Sequence, residues 1–136
     1  MPAPPAVRVL LVDDNIDAAN MLALGLGAYG IHEDMAHDGP EALRAARDGL
    51  HHVALLDLGL PVMDGFELAR RLRQFPETAD MALIAVTGYG EQSDRQRTRE
   101  AGFAAHLVKP VDIEDVLEVI RAAEHRLSAA NAPTSR

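Results

Sequence analysis

Five short segments with the character of β-strands recur along the chain and constrain its fold more than any other feature. Four are nearly continuous apolar runs, and the fifth is weaker. They are residues 7–12 (VRVLLV), 31–36 (IHEDMA, the weaker one), 52–58 (HVALLDL), 81–87 (MALIAVT) and 104–108 (AAHLV). Apolar runs of this length are typical of strands that are covered on both faces. The chain is therefore expected to form a sheet buried between two layers.

A segment with helical features follows each predicted strand. These segments are residues 15–30, 38–49, 64–75, 91–102 and 112–127. Asn15 suits the N-cap position of the first helix. The apolar positions of that helix include Ala18, Met21, Leu22, Leu24 and Leu26. Because strand and helix alternate throughout, the sequence predicts an α/β fold with a doubly wound, parallel, five-stranded sheet.

The composition limits the partners and the location that we expect. The 136 residues suit one domain, with residues 1–6 as a tail or linker, 7–127 as the folded domain and 128–136 as a second tail. A net charge of −8 argues against direct binding to nucleic acid and to anionic membranes. There are no cysteines and no apolar run long enough to insert into a membrane, so a cytoplasmic protein is expected.

Polar side chains stand at the carboxyl ends of four predicted strands. Asp13 and Asp14 follow the first strand, Asp57 lies at the end of the third, Thr87 ends the fourth and Lys109 follows the fifth. In open parallel sheets these ends form one edge, where ligands bind. Three carboxylates in one place repel one another, and a hard divalent cation such as Mg²⁺ relieves that repulsion.

The same residue types suit phosphoryl transfer. A carboxylate at Asp57 can act as the nucleophile, which explains a charged residue at the end of an apolar run. Thr87 offers a hydroxyl donor and Lys109 a positive charge for the phosphoryl oxygens. The sequence therefore predicts a phosphoacceptor site with Asp57 at its centre.

Four segments give this site a family resemblance. LLVDDN, LLDLGLPVMDG, AVTGYG and HLVKPV resemble, in order, the signature segments of two-component response-regulator receiver domains. The resemblance spans residues 7–127 and implies a flavodoxin-like (βα)5 fold with strand order 2-1-3-4-5. The last two segments resemble the receivers of hybrid sensor histidine kinases more than receivers that are joined to DNA-binding domains.

The resemblance also implies roles for individual residues. Asp57 would accept a phosphoryl group from a phosphohistidine on a histidine kinase or a histidine phosphotransfer protein. Asp14 and Asp57 would bind Mg²⁺ directly, Asp13 would bind it through water, and the backbone carbonyl of Gly59 would complete the protein ligands. The domain would catalyse only its own phosphorylation and dephosphorylation, and it would not be an enzyme with a separate substrate.

Further implied roles concern the response to phosphorylation. Thr87 would move towards the acyl phosphate, Lys109 would pair with it, and the Lys109–Pro110 peptide bond would be cis. The family usually has Tyr or Phe at position 106, where this chain has His106. Our hypothesis is that the Thr87 switch is intact and that its readout at His106 is weaker or pH-dependent.

Two further expectations concern the lifetime of the phosphorylated state and the surface that binds a downstream partner. Gly59 and Tyr89 flank the implied path of the hydrolytic water, so their sizes should tune the lifetime of the phosphorylated state. The fourth helix, the fifth strand and the fifth helix form the expected surface for a downstream protein or for a second copy of the chain.

Three alternatives compete with this interpretation. A dehalogenase-type phosphatase needs a second aspartate where this chain has Gly59, and a flavin-binding module needs a phosphate-binding loop where this chain has the acidic DDNID. The remaining alternative is a degenerate receiver that acts as an unphosphorylated interaction scaffold, against which the complete set of acidic residues argues.

Overall fold

A parallel sheet of five strands forms the centre of the fold. The computed structural model describes residues 7–88 and 95–131, with side chains up to residue 124. The strands are β1 (Arg8–Val12), β2 (His32–Ala36), β3 (Val53–Asp57), β4 (Ala82–Thr87) and β5 (Ala105–Val108). They pair in the order β2-β1-β3-β4-β5, and every pair is parallel. The predicted fold class and strand order are confirmed.

The helices cover both faces of this sheet. They are α1 (Ile16–Ala28), α2 (Gly39–Asp48), α3 (Gly65–Arg73), α4 (Arg95–Glu100) and α5 (Ile113–Asn131). Successive strand residues point to opposite faces, so Leu10 and Leu56 pack with α2 and α3, while Leu11 and Leu55 pack with α1 and α5. Each fully buried leucine contributes about 2 kcal/mol of hydrophobic stabilisation.

Side-chain caps begin three of the helices. The side chains of Asn15, Asp38 and Asp64 each accept a hydrogen bond from the backbone N–H three residues later. This bond satisfies one of the backbone donors that a helix leaves unpaired at its start. The caps fix where the chain leaves the carboxyl edge of the sheet and turns into a helix.

Gly65 allows α3 to begin directly beside the end of β3. A Cβ atom at this position would lie 2.7 Å from the backbone oxygen of Asp57 and 2.8 Å from the Cα of Leu58. Neither backbone atom can move away, so any larger residue would push α3 away from the strand end that carries Asp57.

The buried face of α1 is not the set of apolar positions that the sequence analysis gave for this helix. Ala19, Ala23 and Leu26 are buried, whereas Met21 and Leu24 are 75% and 77% exposed. Apolar residues occur around the whole circumference of α1, so spacing alone does not select the face that packs.

The last helix is longer than the sequence predicts. α5 continues to Asn131, beyond the predicted end at Leu127. The Ser-Ala-Ala residues that follow Leu127 contain no helix-stop signal, and the first proline is Pro133. None of the helices in the described part of the chain is long and apolar enough to span a membrane.

Candidate functional site

Three carboxylates meet at the carboxyl edge of the sheet. Asp13 and Asp14 follow β1, and Asp57 ends β3, the strand paired with β1. One carboxylate oxygen from each of the three lies within 4.8 Å of the other two. Asp57 is buried, with 8% of its surface exposed, whereas Asp14 faces the solvent. The predicted convergence of these three residues is present in the structure.

Hydrogen bonds hold two of these carboxylates in fixed orientations. The backbone N–H of Gly59 donates to Asp57 Oδ1 over 2.9 Å, and that of Asn15 donates to Asp13 Oδ1 over 2.9 Å. The second oxygens of both residues face Lys109, whose Nζ lies 3.2 Å from Asp57 Oδ2 and 3.1 Å from Asp13 Oδ2. One ammonium group therefore bridges the two carboxylates.

The balance of charge in this pocket favours a cation. Partial burial by itself would lower the pKa of Lys109, but the hydrogen bond with Asp13 and the charge of Asp57 outweigh it and raise that pKa. Lys109 is thus a firmly held positive charge between Asp13 and Asp57, two of the three carboxylates in the pocket. These hard oxygen donors are of the kind that Mg²⁺ prefers in proteins. The Lys109–Pro110 peptide bond is cis.

A second group of polar side chains lies at the end of β4. Thr87 is buried, and its Oγ1 lies 3.0 Å from Nε2 of His106 on β5. The other ring nitrogen of His106 lies 3.3 Å from Oγ1 of Thr98, a buried residue of α4. Thr98 in turn donates to the backbone oxygen of Arg95 over 2.9 Å. Thr87 is thereby connected to α4 through His106.

Thr98 is the site residue that sequence reasoning missed. It lies in the polar stretch DRQRTRE, which is typical of an exposed helix face. The one available signal is that Thr98 is the smallest and least polar residue of this stretch, and so the residue best suited to face the sheet. Tyr89, by contrast, lies outside the described residues, and its role in hydrolysis stays a prediction.

An apolar groove opens beside the acidic pocket. It lies between α1 and the start of α5 and has a volume of about 720 Å³. Met21 and Leu22 line it on the α1 side and Ile113 on the α5 side, while Asp13 and Lys109 form part of its border with the pocket. Met21 is 75% exposed, so the α1 side of this apolar groove faces the solvent next to the carboxylates.

Comparison with known families agrees with this geometry. The family model for the response regulator receiver domain matches residues 9–121 of the sequence. This range includes all three carboxylates, Thr87, His106 and Lys109. This chain belongs to the response regulator receiver domain family. Receiver domains are signalling phosphoacceptors of bacterial two-component systems and are not typical enzymes.

Individual relatives cover most of the domain. The chain is 36% identical over 113 residues to an uncharacterized 14.6 kDa protein of Leptolyngbya boryana, covering 83% of this chain and 86% of that protein. Other curated relatives are longer, and the chain spans 14% to 56% of their length.

Solved structures show the same fold. The chemotaxis protein CheY4 of Vibrio cholerae superposes with a TM-score of 0.81 at 28% identity, covering 88% of this chain and 99% of that one. The receiver domain of sensor histidine kinase PA1611 from Pseudomonas aeruginosa has a TM-score of 0.78 at 27% identity, covering 87% and 97%. That structure holds a magnesium ion coordinated in its active site cleft. Because the chain belongs to the receiver family and shares its fold, it is a phosphoacceptor signalling switch.

Proposed function

We propose that Asp57 is the phosphoacceptor and that a phosphohistidine on a histidine kinase or a histidine phosphotransfer protein is the donor. The observation that carries this proposal is the environment of Asp57. It is a buried carboxylate at a strand end, held by the Gly59 N–H and by Lys109, next to two further carboxylates. A buried charge in such a polar cluster is typical of a reactive group.

In the reaction, an oxygen of Asp57 forms a bond to phosphorus while the bond between phosphorus and the donor imidazole breaks. The electron pair of the broken bond stays on the imidazole nitrogen. Lys109 lies 3.2 Å from Asp57 and can balance the negative charge of the phosphoryl group that Asp57 receives. Thr87 supplies a hydroxyl donor to a phosphoryl oxygen once its side chain turns towards Asp57.

The residues of the pocket fit a magnesium ion. Asp14 and Asp57 would bind it directly, the backbone carbonyl of Gly59 would add a third oxygen, and Asp13 would bind through water. Three carboxylates against one ammonium leave negative charge that a divalent cation neutralises. When bound, Mg²⁺ supplies positive charge next to the transferring phosphoryl group.

The apolar groove between α1 and α5 is the proposed docking surface for the phosphodonor. A donor histidine must reach Asp57 from the open side of the pocket, and Met21 lines a groove that Asp13 and Lys109 border. The occupant that fits is an amphipathic helix that carries the phosphohistidine, because such a helix can fill an apolar groove and project a side chain from its edge. A donor that takes its phosphoryl group from ATP also favours a cytoplasmic location.

The proposed output surface is formed by α4, β5 and α5. His106 links Thr87 to Thr98, so a movement of Thr87 changes the contacts that hold α4 against β5. A downstream protein or a second copy of the chain would bind this surface. Direct binding to nucleic acid is not part of the proposal, given the net charge of −8.

Phosphorylation by a small donor tests the central proposal. We expect one labile phosphoryl adduct in the intact mass after incubation with acetyl phosphate and Mg²⁺. The adduct should be absent in Asp57→Asn and after EDTA treatment, and it should persist in Asp34→Asn, which changes an aspartate of β2 that is bonded to His51 and lies outside the acidic pocket. A folded wild type that forms no adduct and binds no phosphoryl mimic would contradict the proposal and favour the scaffold alternative.

A matched pair of variants tests the docking surface. Met21 lines the groove and is 75% exposed, whereas Leu50 lies outside it and is 77% exposed. We expect Met21→Glu to slow transfer from a phosphorylated histidine phosphotransfer protein about tenfold or more, because a charge in the groove opposes an apolar helix. Leu50→Glu should leave that rate unchanged, and neither variant should alter labelling by acetyl phosphate. Equal effects of the two variants would rule out this groove as the docking surface.

A further inference from the structure

The hydrogen-bonded chain of Thr87, His106 and Thr98 has a definite direction. Thr98 has one hydroxyl hydrogen, and it points to the backbone oxygen of Arg95 at 2.9 Å, a group that can only accept. Towards His106, at 3.3 Å, the oxygen of Thr98 must therefore accept. The proton of a neutral His106 ring is thus on Nδ1, which leaves a lone pair on Nε2.

This tautomer determines where the hydrogen of Thr87 lies. Because Nε2 of the neutral ring can only accept, the hydroxyl of Thr87 must donate to it over the 3.0 Å that separates them. That hydrogen is then directed to His106 and is not available to Asp57. Burial in the first place, and the positive charge of Arg95 in the second, lower the pKa of His106 and favour this neutral ring.

In the part of the chain that the structure describes, residues of β4 and α4 lie close to His106. From β4, its register partner is Ala85, and Thr87 contacts it from the strand end. From α4, Thr98 and the charged Arg95 face it. Neither threonine titrates near neutral pH. Within the described residues, Arg95 is the charged group for which an influence on the ring is resolved.

We propose that His106 is a positioning residue for Thr87, and that phosphorylation of Asp57 is coupled to the uptake of one proton by His106. This inference rests on the proposed role of Asp57 as the phosphoacceptor. The proton comes from the solvent and binds the lone pair of Nε2. The charged ring then donates from Nε2 to the oxygen of Thr87, whose own hydrogen becomes available to a phosphoryl oxygen. The Nδ1–H bond to Thr98 is kept.

The coupling has a defined sign. The phosphorylated form binds more protons than the free form, so acid favours it, and by reciprocity phosphorylation raises the pKa of His106. A Phe or Tyr at this position, as is usual in the family, has no group that titrates near neutral pH. Proton coupling at this position is thus specific to a chain with His106.

The direct test follows the His106 ring by NMR, with and without Mg²⁺ and beryllofluoride as a phosphoryl mimic. We expect the free protein to carry the neutral-ring proton on Nδ1, and we expect the pKa of His106 to rise when the mimic binds. The affinity for the mimic in wild type, divided by that in His106→Gln, should rise about tenfold between about pH 8 and about pH 5.5. Because the mimic is the same in both measurements, this ratio of affinities cancels any effect of pH on the mimic itself.

Two substitutions of Thr98 separate the hydrogen-bond mechanism from a simple effect of charge. Thr98→Ser keeps the acceptor for Nδ1–H, and it should keep the pKa rise. Thr98→Val removes that acceptor, so the neutral ring can carry its proton on Nε2 and release the Thr87 hydrogen without protonation. The pKa rise should then shrink. An equal rise in both variants would show that the added charge acts through space, and it would overturn the proposed mechanism.

The remaining outcomes are also decisive. A proton on Nε2 in the free protein, or a pKa of His106 that does not change when the mimic binds, would overturn the inference and leave the phosphoacceptor role intact. A wild type that forms neither an acetyl phosphate adduct nor a mimic complex would overturn the proposed function, and the inference would fail with it.

Discussion

Charged side chains gather towards both ends of the sheet, and the two groups differ in their balance of negative and positive charge. At the carboxyl end, Asp13, Asp14 and Asp57 lie together, and among the described residues Lys109 is the cation paired with them, through Asp13 and Asp57. Towards the amino end, the carboxylate of Asp34, in the middle of β2, faces several basic groups. Asp34 lies 2.7 Å from Nε2 of His51, 3.5 Å from Arg8 and 3.8 Å from His32.

This difference separates a functional site from a structural one. The guanidinium of Arg8 can balance the charge of Asp34, and the contacts of Asp34 tie together β1, β2 and the segment before β3. At the carboxyl end, the described side chains leave a net negative charge. Such a charge is unfavourable unless a cation neutralises it or a reaction requires it. Backbone strain is also at this end, since Val62 has a φ of 69° in the loop that follows β3.

Loss of a cation should affect the two ends in different ways, and this is the largest effect we expect. Lys109→Gln removes the fixed positive charge beside Asp57 and should slow labelling by acetyl phosphate about 100-fold. Arg8→Gln removes a cation from the amino end and should change the rate by less than about twofold. The rates can be measured by intact mass over time. Equal slowing in both variants would contradict the assignment of function to one end.

Loss of a buried side chain at the amino end should lower the stability of the fold without affecting phosphorylation. The side chain of His51 is 1% exposed and is bonded to Asp34, so His51→Ala should lower the free energy of unfolding by about 2 kcal/mol. Urea denaturation measures this change. Labelling by acetyl phosphate should stay normal under native conditions. As the matched control, Asp14→Asn removes one of three repelling carboxylates and should not lower stability in the absence of Mg²⁺.

Magnesium should stabilise only the carboxyl end. At ten times its dissociation constant, Mg²⁺ should add about 1.4 kcal/mol to the free energy of unfolding by mass action. The increase should be lost in Asp14→Asn and kept in Asp34→Asn, as measured by the shift in the thermal midpoint with added MgCl₂. A shift of equal size in both variants would indicate non-specific screening by salt.

Relief of strain at Val62 should give the smallest effect. A β-branched residue at a positive φ is unfavourable, and Val62 is 94% exposed, so packing does not compensate for it. Val62→Asn should raise the free energy of unfolding by about 1 kcal/mol, because Asn tolerates this backbone conformation. Val62→Thr, which keeps the branch at Cβ, should give no gain. A gain of the same size with Thr would point to polarity as the cause.

Much of the candidate site was predictable because parallel strands end at a common edge. Once the apolar runs are recognised as strands, Asp13, Asp57 and Lys109 must meet, however far apart they lie in the sequence. The N-cap at Asn15 was predictable for a similar reason, since capping depends on a local bond between a side chain and a backbone N–H three residues later.

The amino-acid sequence by itself therefore determined the alternation of strands and helices along the chain and the edge of the sheet where the carboxylates gather. Only the tertiary structure decided which side of α1 is buried, because apolar residues surround that helix. The tertiary structure also decided that Thr98 contacts His106, because α4 lies against β5 only once the helices have packed on the sheet. Local pattern controls bonds within a segment, whereas packing controls which surfaces of different segments touch.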